Sequence, residues 1–154
     1  MTEIAVLIVE DEAPKLGHIE SYVRSILPGL NIRIARSVNS ALDELDSSNF
    51  DLILLDMSLP TFDIGERESG GRPQGFGGIE ILRYMKMSGI ECPAIVITGY
   101  EAFLKESGTN VDLSEIRAEL ILEFPSLLRG VLHYNSSVDE WKDALQKVLE
   151  DFDK

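Results

Sequence analysis

Apolar residues gather in three short runs, Ile4–Val9, Leu52–Leu55 and Ala94–Ile97. Their near-continuous aliphatic character is that of parallel strands buried on both faces. Each run stops at polar residues: Glu10-Asp11-Glu12 after the first, Asp56 after the second, Thr98-Gly99 after the third. Pro60, shortly beyond Asp56, prevents the central run from continuing as a strand. Between the first two runs the period changes. Leu16, Ile19, Val23, Ile26 and Leu27 recur at helical spacing, with Pro14 suited to a first turn, Asp11 or Glu12 as cap, and Pro28-Gly29 as stop. Ile32 and Ile34 alternate with polar neighbours, as an outer strand does. Val38, Ala41, Leu42 and Leu45 then predict a short helix within 37–48.

Beyond the central run, Thr61 to Gly78 carries six glycines (65, 70, 71, 75, 77 and 78) and no surviving period, so it reads as a mobile loop. Ile79, Leu82 and Met85 restore a helical pattern that Gly89 ends. Glu101 to Ser107 suits one or two helical turns, and Asp112 with Glu115 forms a capping box before Leu113, Ile116, Leu120, Ile121 and Phe124. Val131 to Tyr134 is expected as a fifth strand. Ser137 and Glu140 make a second capping box, opening a last helix with Trp141, Ala144, Leu145, Val148, Leu149 and Phe152 inward. Strands alternating with helices predict an α/β fold: a doubly wound five-stranded parallel sheet, order 2-1-3-4-5, in a single domain over 1–154. Two stretches, 61–78 and 99–128, are extended connections within it.

The chain has 154 residues, enough for one well-buried core. With 27 acids against 14 Lys and Arg, its net charge is −13. That charge disfavours nucleic acid and anionic lipid as partners and favours cations or a basic protein surface. The apolar runs are too short to cross a membrane, and the first is followed at once by acids, unlike a signal peptide. Cys92 is the single cysteine, so no intrachain disulfide forms; this suits a reducing, cytoplasmic setting.

Parallel strands of this arrangement bring Glu10, Asp11, Asp56 and Thr98 to one rim, where open α/β sheets place their sites. Two carboxylates at ~4 Å in an effective dielectric of ~20 repel by about 4 kcal/mol. The cluster must therefore keep a proton, recruit a basic side chain, or bind a cation. Oxygen ligands at a wet strand edge suit Mg2+. Beside a metal, Asp56 is a competent nucleophile toward phosphorus, and the Thr98 hydroxyl a donor to the transferred group. Strand-end acids that are merely solvated form the simpler alternative; agreement among three strand ends favours a site. The glycines of 65–78 lack the Gly-Lys-Ser/Thr of a phosphate-binding loop. His18 reads as a surface residue and His133 as a strand packing residue.

Taken together, Val-Glu-Asp-Glu (9–12), Leu-Leu-Asp-Met-Ser-Leu-Pro (54–60) and Ile-Thr-Gly-Tyr (97–100) resemble the motifs of a response-regulator receiver domain of two-component signalling, over nearly the whole chain. The resemblance implies a flavodoxin-like fold and a phosphoacceptor signalling domain rather than a classical enzyme. It implies Asp56 as phosphoacceptor, Thr98 as phosphoryl hydroxyl donor and Gly99 as the residue keeping the donor's path open. It further implies Mg2+ on Asp11, Asp56, the Ser58 backbone carbonyl and, through water, Glu10. A histidine kinase or a histidine phosphotransfer protein would be the phosphoryl source. Two positions depart from the pattern: Tyr134-Asn135 stands where the family ends its fifth strand with lysine and proline, and Val131 where it has an aromatic switch residue. A phosphorylation-independent pseudo-receiver, acting as a docking or dimerisation module, is therefore a second reading. A flavin-binding protein of the same fold is a third, disfavoured because no Ser/Thr-rich loop follows the first strand. The apolar residues of 112–128 are the expected contact surface for a homodimer or a partner, unless they close the core.

Overall fold

In the computed structural model, residues 4–27, 29–59, 77–99, 102–104, 110–135 and 139–150 are described. The chain runs β1 (Ile4–Val9), α1 (Ala13–Ile26), β2 (Leu30–Ala35), α2 (Val38–Ser47), β3 (Leu52–Leu55), α3 (Gly77–Met87), β4 (Ala94–Thr98), β5 (Ala102–Leu104), β6 (Asn110–Asp112), α4 (Leu113–Glu123), β7 (Leu128–His133) and α5 (Glu140–Glu150). Five strands form a parallel sheet in the order β2-β1-β3-β4-β7. With β7 as the fifth strand of that sheet, this is the expected 2-1-3-4-5 order.

Side chains alternate across the sheet, and the two faces are covered by different helices. Val6, Ile8, Leu52, Leu54, Ile95 and Ile97 pack against Ile19 and Val23 of α1 and Trp141, Leu145 and Leu149 of α5. Leu7, Val9, Ile53, Leu55, Ala94 and Val96 pack against α2, α3 and α4. Pro14 lies in the first turn of α1 and Glu12 is the cap residue, though its side chain makes no capping bond. At α2, Ser37 accepts from the Ser40 N–H while the Ser40 side chain accepts from Ser37 in return. Asp112 accepts from the Glu115 N–H and caps α4, which is one half of the expected capping box.

Several expectations change. Ala102–Leu104, expected within a helical turn, is a strand paired antiparallel with Asn110–Asp112 in a separate two-stranded sheet. The fifth strand of the main sheet begins three residues early, at Leu128, with an irregular step opposite Ala94/Ile95. Leu113 is partly buried and Ile116, Leu120 and Phe124 are fully buried, so this side of α4 closes the core. Ile121 and Leu122 are left outside, at 48% and 82% exposed. The loop expected over 61–78 falls outside the described residues apart from its last two glycines, and the Ser137–Glu140 capping box falls outside them through Ser137. Cys92 is buried, and burial first, with the Asp51 charge adding, pushes its thiol up to about 12.

Gly77 and Gly78, expected in the loop, open α3 instead. The Gly78 N–H donates to the Met57 carbonyl at 2.9 Å. A Cβ at Gly78 would lie 2.3 Å from the Asp56 carbonyl oxygen, and one at Gly77 3.0 Å from that of Leu59. These glycines let α3 start directly against the segment that carries Asp56. The contrast with Gly17, inside α1 with nothing within 4 Å of its absent Cβ, is testable. Gly17→Ala should stabilise by up to about 1 kcal/mol through helix propensity. Gly78→Ala gains the same propensity but must displace main chain, which costs typically ~1–3 kcal/mol. Denaturant melts of the two variants should therefore move in opposite directions.

Candidate functional site

Glu10 follows β1 and Asp56 follows β3, and both continue the alternation toward the face covered by α1. Glu10 is 2% and Asp56 6% exposed. Two main-chain bonds fix the strand ends to each other and to β2: the Asp56 N–H donates to the Val9 carbonyl at 3.1 Å, and the Glu10 N–H to the Ala35 carbonyl at 3.0 Å. Asp56 Oδ1 accepts from the Met57 N–H at 2.8 Å, and Glu10 Oε2 from the Glu12 N–H at 3.0 Å.

The basic side chain that this cluster demands comes from α1. Lys15 is 2% exposed, and its Nζ lies 2.6 Å from Glu10 Oε1 and 3.2 Å from Asp56 Oδ1. It also donates to the Ile97 carbonyl at 2.7 Å. One ammonium thus spans the ends of β1, β3 and β4. At 2.6 Å, the Lys15–Glu10 Oε1 ion pair is the shorter of the two that Lys15 makes. Burial raises the Glu10 carboxyl above its ordinary value; Lys15 opposes that, and the Asp56 charge adds to it.

Lys15 was absent from the residues singled out in the sequence, yet it carried a signal. It sits four and eight residues before Ile19 and Val23, on the buried stripe of α1, where an uncompensated lysine would be costly.

Thr98 ends β4 fully buried, and its carbonyl accepts from the Tyr134 N–H at 2.8 Å. Gly99 is exposed at the rim. Asp11 is half-buried and its carbonyl accepts from Arg36 at 2.9 Å; Ser58 is half-buried too. Tyr134 is 9% exposed, next to the end of β7. Its hydroxyl hydrogen-bonds His18 Nδ1, its ring lies 5.3 Å from that of Trp141, and Lys15 Nζ lies 5.8 Å from its centroid. His18 is therefore exposed but not idle. Burial first, then the charges of Glu12 and Glu10, raise the Tyr134 phenol above its ordinary value, so it stays neutral near pH 7. Val131 is buried. His133 ends β7 opposite Thr98.

The donor set fits a divalent cation in charge. Three carboxylates and one ammonium leave a net −2 at the rim. Lys15 lies between Glu10 and Asp56, in contact with both, while Asp11 and Ser58 are each half-buried beside them in sequence. Among the described residues no group of three acidic, histidine or cysteine side chains is placed to hold a metal ion, so a cation here would need water for much of its shell, as Mg2+ tolerates.

A family model described as the response regulator receiver domain matches residues 6–116. The Detocs response regulatory protein DtcB of Enterobacter cloacae (strain JD6301) is 29% identical over 148 residues, covering 94% of this chain and 98% of that protein. DtcB of Vibrio alginolyticus is 32% identical over 147 residues, with the same coverage. Among solved structures, the response regulator TrrA of Thermotoga maritima, in complex with Mg(2+)-BeF, superposes with a TM-score of 0.62 at 20% identity, covering 95% of this chain and 99% of that one.

The Tyr134–His18 contact yields a prediction. Tyr134→Phe should cost only about 0.5–1.5 kcal/mol, near the lower limit, because exposed His18 can turn to water. A melt of that variant beside wild type measures it.

Proposed function

Because this chain belongs to the response regulator receiver domain family, we propose that it receives a phosphoryl group on Asp56 from a phosphohistidine and relays the event by protein contact. The observation that carries this reading is Asp56 itself: a buried carboxylate at the end of the central strand, ion-paired with Lys15 rather than free in solvent. An Asp56 carboxylate oxygen attacks phosphorus, a P–O bond forms as the P–N bond of the donor breaks, and the imidazole leaves with the electron pair. The donor's chemistry matches either a histidine kinase or a histidine phosphotransfer protein, in the cytoplasm. The strongly acidic charge of the chain suits a basic docking surface on that donor.

Asp11, Asp56 and the Ser58 carbonyl, with Glu10 through water, would hold Mg2+. When bound, the metal supplies charge neutralisation for the incoming phosphoryl oxygens. Thr98 offers its hydroxyl to the phosphoryl group, and Gly99 leaves the rim without a side chain on the approach. The exposed Ile121 and Leu122 of α4 are the candidate contact residues for a partner or a second copy. The described residues contain no helix long and apolar enough to cross a membrane.

The pseudo-receiver reading keeps one observation in its favour, the tyrosine in place of a fifth-strand lysine. Acetyl phosphate with Mg2+ separates the two. Intact mass should rise by one phosphoryl group in the wild type and stay unchanged in Asp56→Asn; an unmodified wild type would establish the pseudo-receiver instead.

Mg2+ itself should stabilise the fold by linkage, by about 1.4 kcal/mol at ten times its Kd. Titrating Mg2+ while recording Tm should show the rise in wild type and lose it in Asp11→Asn.

A further inference from the structure

We propose that Lys15, delivered from the first turn of α1, supplies the positive charge that stabilises the phosphoryl group on Asp56, in place of a cation on the fifth strand of the sheet. The proposal rests on the phosphoacceptor reading above and names the residue that makes that reading workable without a lysine at Tyr134.

The geometry carries it in three steps. Lys15 is the one cation in contact with Asp56 among the described residues, with Nζ 3.2 Å from Oδ1. An ammonium has three N–H donors and no acceptor. Two of its contacts are short, to Glu10 Oε1 at 2.6 Å and to the Ile97 carbonyl at 2.7 Å, and these anchor the group. The third, to Asp56, is the longest and the easiest to re-aim. When Asp56 becomes an acyl phosphate, its own negative charge is lost and reappears on the phosphoryl oxygens. The anchored ammonium then has a new anion within reach of that third donor. Ile97 immediately precedes Thr98, so the cation is tied to the main chain that carries the proposed hydroxyl donor.

The Tyr134 position faces the same point from the sheet edge, its ring centroid 5.8 Å from Nζ. A lysine there would reach the site by the other route. This supplies a rescue that a purely structural role for Lys15 would not show.

The experiment follows the initial rate of Asp56 phosphorylation by acetyl phosphate with Mg2+, using intact mass, in wild type, Lys15→Met, Lys15→Met/Tyr134→Lys, and Lys142→Met as a surface control. Lys15→Met should be slower by at least about tenfold, as for loss of a preorganised donor to developing charge. The double variant should regain rate, and the control should match wild type. Folded Lys15→Met phosphorylating at the wild-type rate would overturn the role of Lys15 while leaving the phosphoacceptor reading intact. A wild type that takes no phosphoryl group would remove both. Should Lys15→Met fail to fold, the wild-type protein with 15N-labelled lysine decides: the Lys15 ammonium resonance, assigned with Lys15→Arg, should move when beryllofluoride and Mg2+ are added. An unmoved resonance with the analogue bound would refute the contact.

Discussion

A single buried ammonium ties the rim of this sheet together. Placing Lys15 out of water costs several kcal/mol, and Glu10 and Asp56 carry similar penalties. The three groups are tolerable only jointly. Lys15 offsets the repulsion between Glu10 and Asp56, and those acids, with the Ile97 carbonyl, replace the water that Lys15 gives up. Removing one member leaves the others buried and unmatched, typically ~3–5 kcal/mol of destabilisation. The same contact fixes α1 against three strands at once. The rim is thus held by mutual need.

How much of this could be read in the sequence depended on whether local pattern or tertiary position decided the matter. The buried strands were legible because β1, β3 and β4 are apolar on both faces, and the order followed from helices alternating with parallel strands. Glu10, Asp56 and Thr98 were legible as a group because each ends such a strand. Lys15 was overlooked because a lysine in an amphipathic helix is ordinarily counted with the solvated face. Its position on the Ile19–Val23 stripe, together with the even parity shared by Ile8, Glu10, Leu54 and Asp56, held the information. Pattern reading had already required either a basic side chain or a cation for these carboxylates; the family resemblance placed that lysine at Tyr134 rather than on the helix.

Other differences share a cause. Gly77 and Gly78 look like loop because glycine has poor helix propensity, yet here absence of a Cβ admits the Asp56 and Leu59 carbonyls. Whether a glycine marks freedom or close approach is a tertiary fact. The short pair β5–β6 has three residues a side, too few for a period to show. Leu127 and Leu128 lie beyond the helical pattern that ends at Phe124. Leu128 enters the sheet one irregular step from the regular register, which no local signal marks.

The cation beside Asp56 comes from α1, and the residue that follows β7 is aromatic. Tyr134 packs near Trp141 of α5, which in turn lies 5.6 Å edge-on to Tyr22 of α1. The Tyr22 hydroxyl donates to the Lys142 carbonyl at 3.0 Å, so α1 and α5 are joined both by rings and by a hydrogen bond. Helix α1 therefore holds both the cation at Asp56 and one side of this aromatic corner, through residues 15, 18 and 22 at successive turns. A change of charge at Asp56 acts first on Lys15, and Lys15 belongs to a helix clamped to β7 and α5 rather than to β7 itself. The covalent distance from acceptor to edge strand is long, but the packed path is short: one lysine, one helical turn and one tyrosine.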